Sequence, residues 1–250
     1  MKIYLLFCFV VFLFAIQLNS CKRENSVGCF VSNGSIITIN RTLENFSEIE
    51  LNHVFTVYLV QDTAYYLEIT SGENILPGIK SEVVNRRLII DNNNTCNWMR
   101  GYSKIPKIKI HAPIIKYIQI IGECDLFSEG KINSDTIFID VESGASLCDL
   151  EVKSDVVKLK IHAGTGKFTI KGECNFSYFF NHGNAHIFGE NLKAKRVQIH
   201  NNSTGDARLY STEFLHIEYI GRGDIYYKGN PPEILVQESL GEGQLIQIDN

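Results

Sequence analysis

Cys124 and Cys148 sit in matching small-x-small-x-apolar segments, Gly122-Glu-Cys124-Asp-Leu126 and Ser146-Leu-Cys148-Asp-Leu150. If the segments stack, their Cα atoms lie about 4.8 Å apart, within disulfide range. The same positions equally suit two buried thiols filling a crowded corner. Gly144-Ala-Ser146-Leu-Cys148 misses a nucleophile elbow by one residue and no helix signal follows it. Gly164-Thr-Gly166-Lys167 lacks the earlier glycine and the following helix of a phosphate loop. His182 and His186 are four apart, but in a strand-turn context they do not share a face, and no CxxC or His/Cys cluster occurs, so no metal site is expected. Arg222-Gly223-Asp224 spells an integrin-type tripeptide, yet its Gly and Asp belong to a repeat that recurs elsewhere. No catalytic residue and no cofactor site is expected, and the chain reads as a non-enzyme.

That repeat organises the second half. The small-x-small-x-apolar frame begins at Gly122, Ser146, Gly164, Gly183, Ser203, Gly221 and Gly241, at separations of 24, 18, 19, 20, 18 and 20 residues. A period near 20 predicts a solenoid with one coil per repeat. Small residues fit a tight stacked corner, and the apolar residue after them points inward. The outward column beside that core then reads Phe127, Glu151, Thr169, Phe188, Arg208, Tyr226, Ile246. Exposed apolar columns on solenoids serve recognition, so Phe127, Phe188, Arg208, Tyr226 and Ile246 form a candidate binding face for a glycan or a surface protein. The alternative is that another part of the chain or a second subunit covers it, and an oligomer is compatible with the pattern.

The elements carrying these residues are strands. From Ile36 onward the apolar runs are short, β-branched and bounded by Gly, Asn, Asp or Ser, as in Val57-Tyr-Leu59, Leu88-Ile-Ile90 and Ile108-Lys-Ile110. The expected fold is all-β: a single-stranded parallel β-helix or β-solenoid over 113–250, preceded by a β-rich half over 36–112.

The start of the chain points to export. Lys2 precedes an apolar run from Ile3 to Ile16, which fits a signal-peptide core and is short for a membrane span. Leu18-Asn19-Ser20-Cys21 resembles a bacterial lipobox, so residues 1–20 are expected to be removed and Cys21 to carry lipid. Residues 21–35 read as a polar tether. Several acyl chains at about 0.8 kcal/mol per buried CH₂ suffice for a stable anchor. Lys22 follows the cysteine, which favours the outer membrane over retention at the inner one. The 250 residues carry 24 Lys+Arg against 28 Asp+Glu, a net charge of −4, which argues against a nucleic-acid partner.

The order of motifs also carries a family resemblance. Gly221-Arg-Gly223-Asp224-Ile225 and its weaker copies, with Arg41-Thr-Leu-Glu-Asn-Phe46-Ser-Glu-Ile49, Ile75-Leu-Pro77 and Arg87-Leu-Ile-Ile90, resemble the head-GIN-domain family of auto-transporter-adhesin-like proteins. The resemblance covers roughly residues 36–250. It implies an all-β stack of strands in an exported protein of Gram-negative bacteria, and it supplies no catalytic residues. The function expected is adhesion or interaction at the outer membrane or cell surface. A structural or envelope-sensing role without an external ligand is the alternative. A β-helix enzyme acting on polysaccharide would require Asp and Lys/Arg concentrated on one exterior face, which the sequence does not suggest.

Overall fold

The computed structural model describes residues 32–95 and 105–249. The expected leader, Cys21 and the tether through residue 31 lie outside the described residues, as do Cys29 and Cys96.

The described chain forms β1 (Ile36–Thr42), β2 (Glu48–Leu51), β3 (Phe55–Gln61), β4 (Tyr66–Gly72), β5 (Ile79–Val84), β6 (Arg87–Asn92), β7 (Lys107–Ala112), β8 (Tyr117–Ile120), β9 (Cys124–Val141), β10 (Ala145–Ile161), β11 (Thr165–Asn181), β12 (Asn184–Asn201), β13 (Ala207–Tyr219), β14 (Ile225–Lys228), β15 (Glu233–Ser239) and β16 (Leu245–Gln247). A 3-10 turn at Leu76–Gly78 stands between β4 and β5. All sixteen strands join one hydrogen-bonded sheet. The solenoid has about six turns of roughly 20 residues each.

The long strands β9 to β13 stack in parallel and bend, so each contributes to two walls. The first wall runs β7, β3, then the early parts of β9 to β13, then β14 and β16. The second runs β6, β2, β8, then the late parts of β9 to β13, then β15. The step near residue 112 is therefore a change in chain path inside one stack. β3, from the first half, lies between β7 and β9, and one apolar cluster contains both Val57 and Leu126. The antiparallel partners β1–β4 and β5–β6 flank β7 and β2.

Period-2 alternation builds the interior. In β10, Cys148, Leu150, Val152, Val157, Leu159 and Ile161 point inward and are buried, while their neighbours face out. Stacking gives inner columns such as Ile139, Leu159, Phe179, Ile199 and Ile217. Truncating one such side chain to Ala would cost about 2–5 kcal/mol.

The corners explain the small residues. At Gly166 φ is +137°, and a Cβ would overlap the Ser146 carbonyl oxygen one coil below. Two fully buried asparagines, in register with each other, brace the corner from inside. Asn181 Nδ2 donates to the Ala185 carbonyl at 2.8 Å, and Asn201 Nδ2 to that of Gly223 at 3.4 Å.

One expected register shifts by two. Cys148 pairs with Leu126 and with Phe168, so the second copy of the frame begins at Gly144 instead of Ser146. Ser146 is the residue beside Cys124, its Oγ accepting the Cys124 N–H at 3.5 Å. The cause is a bulge in β9. Phe127 pairs with Asp149 and Lys131 with Glu151, so three residues of β9 face one of β10. Gly130 sits in the bulge at φ +86°, with no atom within 4 Å of where a Cβ would stand. Cys124 and Cys148 thus occupy different columns, and both are free, buried thiols in the structure. The stacking argument for a bridge between them loses its geometric basis. Cys174 is also free and lies in the other small-residue corner, in register with Ser154 and Ala194.

Candidate binding face

The outward column on the first wall exists, with one substitution. Its register order is Lys109, Tyr58, Phe127, Asp149, Thr169, Phe188, Arg208, Tyr226, Ile246. Phe127, Phe188, Arg208, Tyr226 and Ile246 are aligned as the repeat requires. Glu151 is replaced by Asp149, and Tyr58 with Lys109 extends the stripe into the first half. From Tyr58 to Ile246 every member is half-buried, as expected for rungs 4.8 Å or so apart shielding one another.

The rungs interact through their ring faces. Tyr58 and Phe127 stack with centroids 5.4 Å apart. The Arg208 guanidinium lies 5.7 Å from the Phe188 centroid and 5.2 Å from that of Tyr226. Lys167 Nζ stands 4.7 Å over Phe188 from the neighbouring column. Such contacts contribute about 0.5–1 kcal/mol each at exposed sites. What remains open to solvent is therefore ring edges, the Arg208 fork and the charges beside them. The Tyr226 hydroxyl donates to Asp224 Oδ2 at 3.2 Å. Desolvation first, and then that carboxylate, raise its pKa, so it stays a donor. At the two flanks, Lys109 pairs with Glu129 at 2.8 Å and Lys171 with Asp149 at 3.1 Å.

The second wall carries another aromatic face that the sequence reading did not identify. One column is Tyr117, Phe138, Lys158, Tyr178, Gln198, His216, and the next is Val156, Phe176, Arg196, Phe214. Tyr117 and Phe138 meet edge to face at 5.1 Å. Lys160 Nζ lies 5.4 Å over Phe138, and Arg196 lies 5.2 Å over Phe214. The signal was available in the late halves of the long strands, where positions 136, 138 and 140 and their equivalents alternate outward. The glycine-corner frame belongs to the first wall and ends before those positions, so it carries no trace of this face.

Charged residues do gather at one exterior corner, contrary to the sequence expectation. A groove of about 650 Å³ is lined by Asp135, Asp155, Lys153, Glu173, Lys193 and Lys195 among others. In one column Lys153, Glu173 and Lys193 alternate in sign from coil to coil, while in the next Asp135 and Asp155 are followed by Asn175 and Lys195. Lys153 meets Glu173 at 2.8 Å, and Asn175 donates to Asp155 at 2.8 Å. The arrangement is a solvated ladder of the kind that stacking places on any coil exterior.

His182 and His186 do not converge. His182 Nε2 lies 2.9 Å from His200 Nε2 on the second wall, whereas His186 Nδ1 accepts the Asp206 N–H at 3.0 Å on the first. The Arg222-Gly223-Asp224 tripeptide is internally engaged. Arg222 pairs with Glu242 at 3.0 Å, and Asp224 accepts both the Tyr226 hydroxyl and the Gln244 N–H. No helix among the described residues is long and apolar enough to cross a membrane.

Solved structures share this architecture. A "putative adhesin" from Bacteroides fragilis NCTC 9343 superposes with a TM-score of 0.69 at 24% identity, covering 86% of this chain and 97% of that one. A protein from Parabacteroides distasonis ATCC 8503 named as a "putative lipid binding protein" gives 0.63 at 19% identity, covering 87% and 98%. A "putative adhesin" from Parabacteroides merdae ATCC 43184 gives 0.59 at 19% identity, also covering 87% and 98%. At these identities the likeness establishes the fold. No curated protein sequence matches the chain significantly. The sequence profile of the family described as "Putative auto-transporter adhesin, head GIN domain" matches residues 45–231, three quarters of the chain, and the chain belongs to that family.

Proposed function

We propose that this protein is a non-enzymatic interaction module of the cell envelope that engages a partner along its first-wall stripe. The observation that carries the reading is one outward column in which Tyr58 and Phe127, and beyond Asp149 and Thr169 the rungs Phe188, Arg208, Tyr226 and Ile246, stand in register. The adhesin names of the family and of the structural relatives support it. Because the rings already use their faces on one another and on cations, the stripe offers edges and a guanidinium, which suits a protein surface better than a stacked sugar ring. The charged groove does not suit an acyl chain. Lipid on Cys21 would tether the module to the outer membrane, with the solenoid body facing the periplasm or the cell exterior.

The same self-stacking supports a second reading, in which the stripe is a structural ladder and the protein a ligand-free envelope component. Binding of the purified protein to immobilised mucin, to fibronectin and to a glycan array separates the two. The interaction reading expects saturable binding to at least one probe, lost in the Phe188→Ser/Tyr226→Ser double variant while circular dichroism is unchanged. Binding that survives the double variant removes the stripe as the site. No binding to any probe, with the protein inaccessible to protease on intact cells, favours the structural reading.

A further inference from the structure

The second wall meets its corner at a cluster that lies outside the stripe. Asp140 ends the outward column of β9, Glu142 follows in the turn, and His162 occupies the equivalent turn one coil on. Their ligand atoms all lie within 4.8 Å of one another. His162 Nε2 is 2.9 Å from Asp140 Oδ1.

Each carboxylate is held from behind by a different residue of β8. The Tyr117 hydroxyl donates to Asp140 Oδ2 at 2.9 Å, which leaves Oδ1 facing the imidazole. Gln119 Nε2 donates to Glu142 Oε1 at 3.1 Å, which leaves Oε2 to turn inward. Desolvation, then the bond to Asp140, raises the Tyr117 pKa, so that residue remains a hydroxyl donor. The Asp140 side chain is only 14% exposed, while His162 is 42% exposed and opens the cluster to solvent. Lys160, the register neighbour of Asp140, lays its ammonium over Phe138. Ligands oriented by hydrogen bonds from a second layer are the common design of protein metal sites.

The same corner continues on the coils beyond. On the next coils His182 Nε2 faces His200 Nε2 at 2.9 Å, and His200 Nδ1 is 2.9 Å from Glu218 Oε2. The corner therefore collects imidazole nitrogens and carboxylates over successive coils. Phe180 stacks on His182 at 4.2 Å between the two groups.

We propose that Asp140, Glu142 and His162 bind one divalent first-row transition-metal ion, with zinc the best-suited probe. One imidazole and two carboxylates match that class, whereas calcium takes oxygen ligands. Bonds of about 2.0–2.2 Å require donor atoms roughly 3–4 Å apart, and the three donor atoms already lie within 4.8 Å of one another. The His162 to Asp140 hydrogen bond holds the two side chains beside each other. Because the ligands come from successive coils, the ion would clamp those coils to each other.

The test is calorimetric titration of chelator-stripped full-length protein with Zn²⁺, alongside His162→Ala, Asp140→Asn and Glu142→Gln. The proposal expects one ion per chain, at least a tenfold loss of affinity in each variant, and wild-type affinity for that ion in His182→Ala and His200→Ala. Zinc should raise the unfolding midpoint of the wild type and leave that of His162→Ala unmoved. Glu142→Gln keeps size and shape and serves if His162→Ala misfolds. No saturable uptake overturns the proposal. So does unchanged affinity in both His162→Ala and Glu142→Gln, loss of the ion in His182→Ala or His200→Ala, or displacement of zinc by an equal concentration of Ca²⁺.

Discussion

Asp206 Oδ1 accepts the backbone N–H of Asp224, one coil further along, at 3.0 Å. Asp224 repeats the contact to Gln244 at 2.9 Å, and Asp125 makes it to Leu147 at 3.0 Å. His186 fills the same role toward Asp206. Where an aspartate follows the corner, at Asp125, Asp206 and Asp224, it is thus a rung that fixes the register of the next coil. Replacing Asp224 with Ala removes the acceptor of both the Gln244 N–H and the Tyr226 hydroxyl. It should lower stability by about 1–3 kcal/mol, and Asp224→Asn, which keeps an acceptor oxygen, by less. Urea denaturation measures both, and equal midpoints for Ala and wild type would contradict the ladder. An Arg-Gly-Asp peptide should not compete with any binding this protein shows.

Gly166 and Gly130 both have positive φ but different surroundings. Gly166→Ala must push the Ser146 carbonyl aside and should cost about 3 kcal/mol or more, or prevent folding. Gly130→Ala meets open space and should lose only the backbone preference, about 1–2 kcal/mol. Thermal unfolding of the two variants gives the comparison, and equal losses would refute the crowded-corner account.

Burial raises the pKa of Cys124 and Cys148, and pushes that of Cys174 up to about 12. All three should resist iodoacetamide in the native protein and react fully in guanidinium. Mass spectrometry of unreduced peptides checks the pairing. A Cys124–Cys148 bridge in exported protein would show that the columns approach more closely than their register indicates.

Asp62 accepts the Thr63 N–H and the Tyr66 hydroxyl and faces His111, and these, in that order, hold its carboxyl below the usual range. A depressed folded-state pKa contributes stability above the unfolded value near 3.8, and that contribution disappears as pH falls through the folded value. Unfolding midpoints measured below pH 4 should therefore fall less steeply in Asp62→Asn than in the wild type. Parallel slopes would assign the acid sensitivity to other carboxylates.

The stack, the corner frame and most of the first-wall stripe were legible because Gly, Asp and inward apolar residues recur together. The register of the second coil was not. Gly144 and Ser146 are both small, and a shift of two residues leaves every side chain on its original face, so alternation cannot expose the error. Only the bulge at Ser128-Glu129-Gly130 decides it, and a bulge is a relation between strands that neither strand displays alone. For the same reason the cluster of Asp140, Glu142 and His162 has no spacing signature. Its members meet through stacking, and its supports, Tyr117 and Gln119, come from yet another strand.

The bent strands β10 to β12 exchange backbone hydrogen bonds only with the windings on either side. Duplication or deletion of one such period would heighten or shorten the platform by about 4.8 Å. It would add or remove a single rung from the aromatic stripe and leave the chemistry of the others untouched. Reach and valency in this architecture can therefore evolve by copy number, independently of what any one winding recognises.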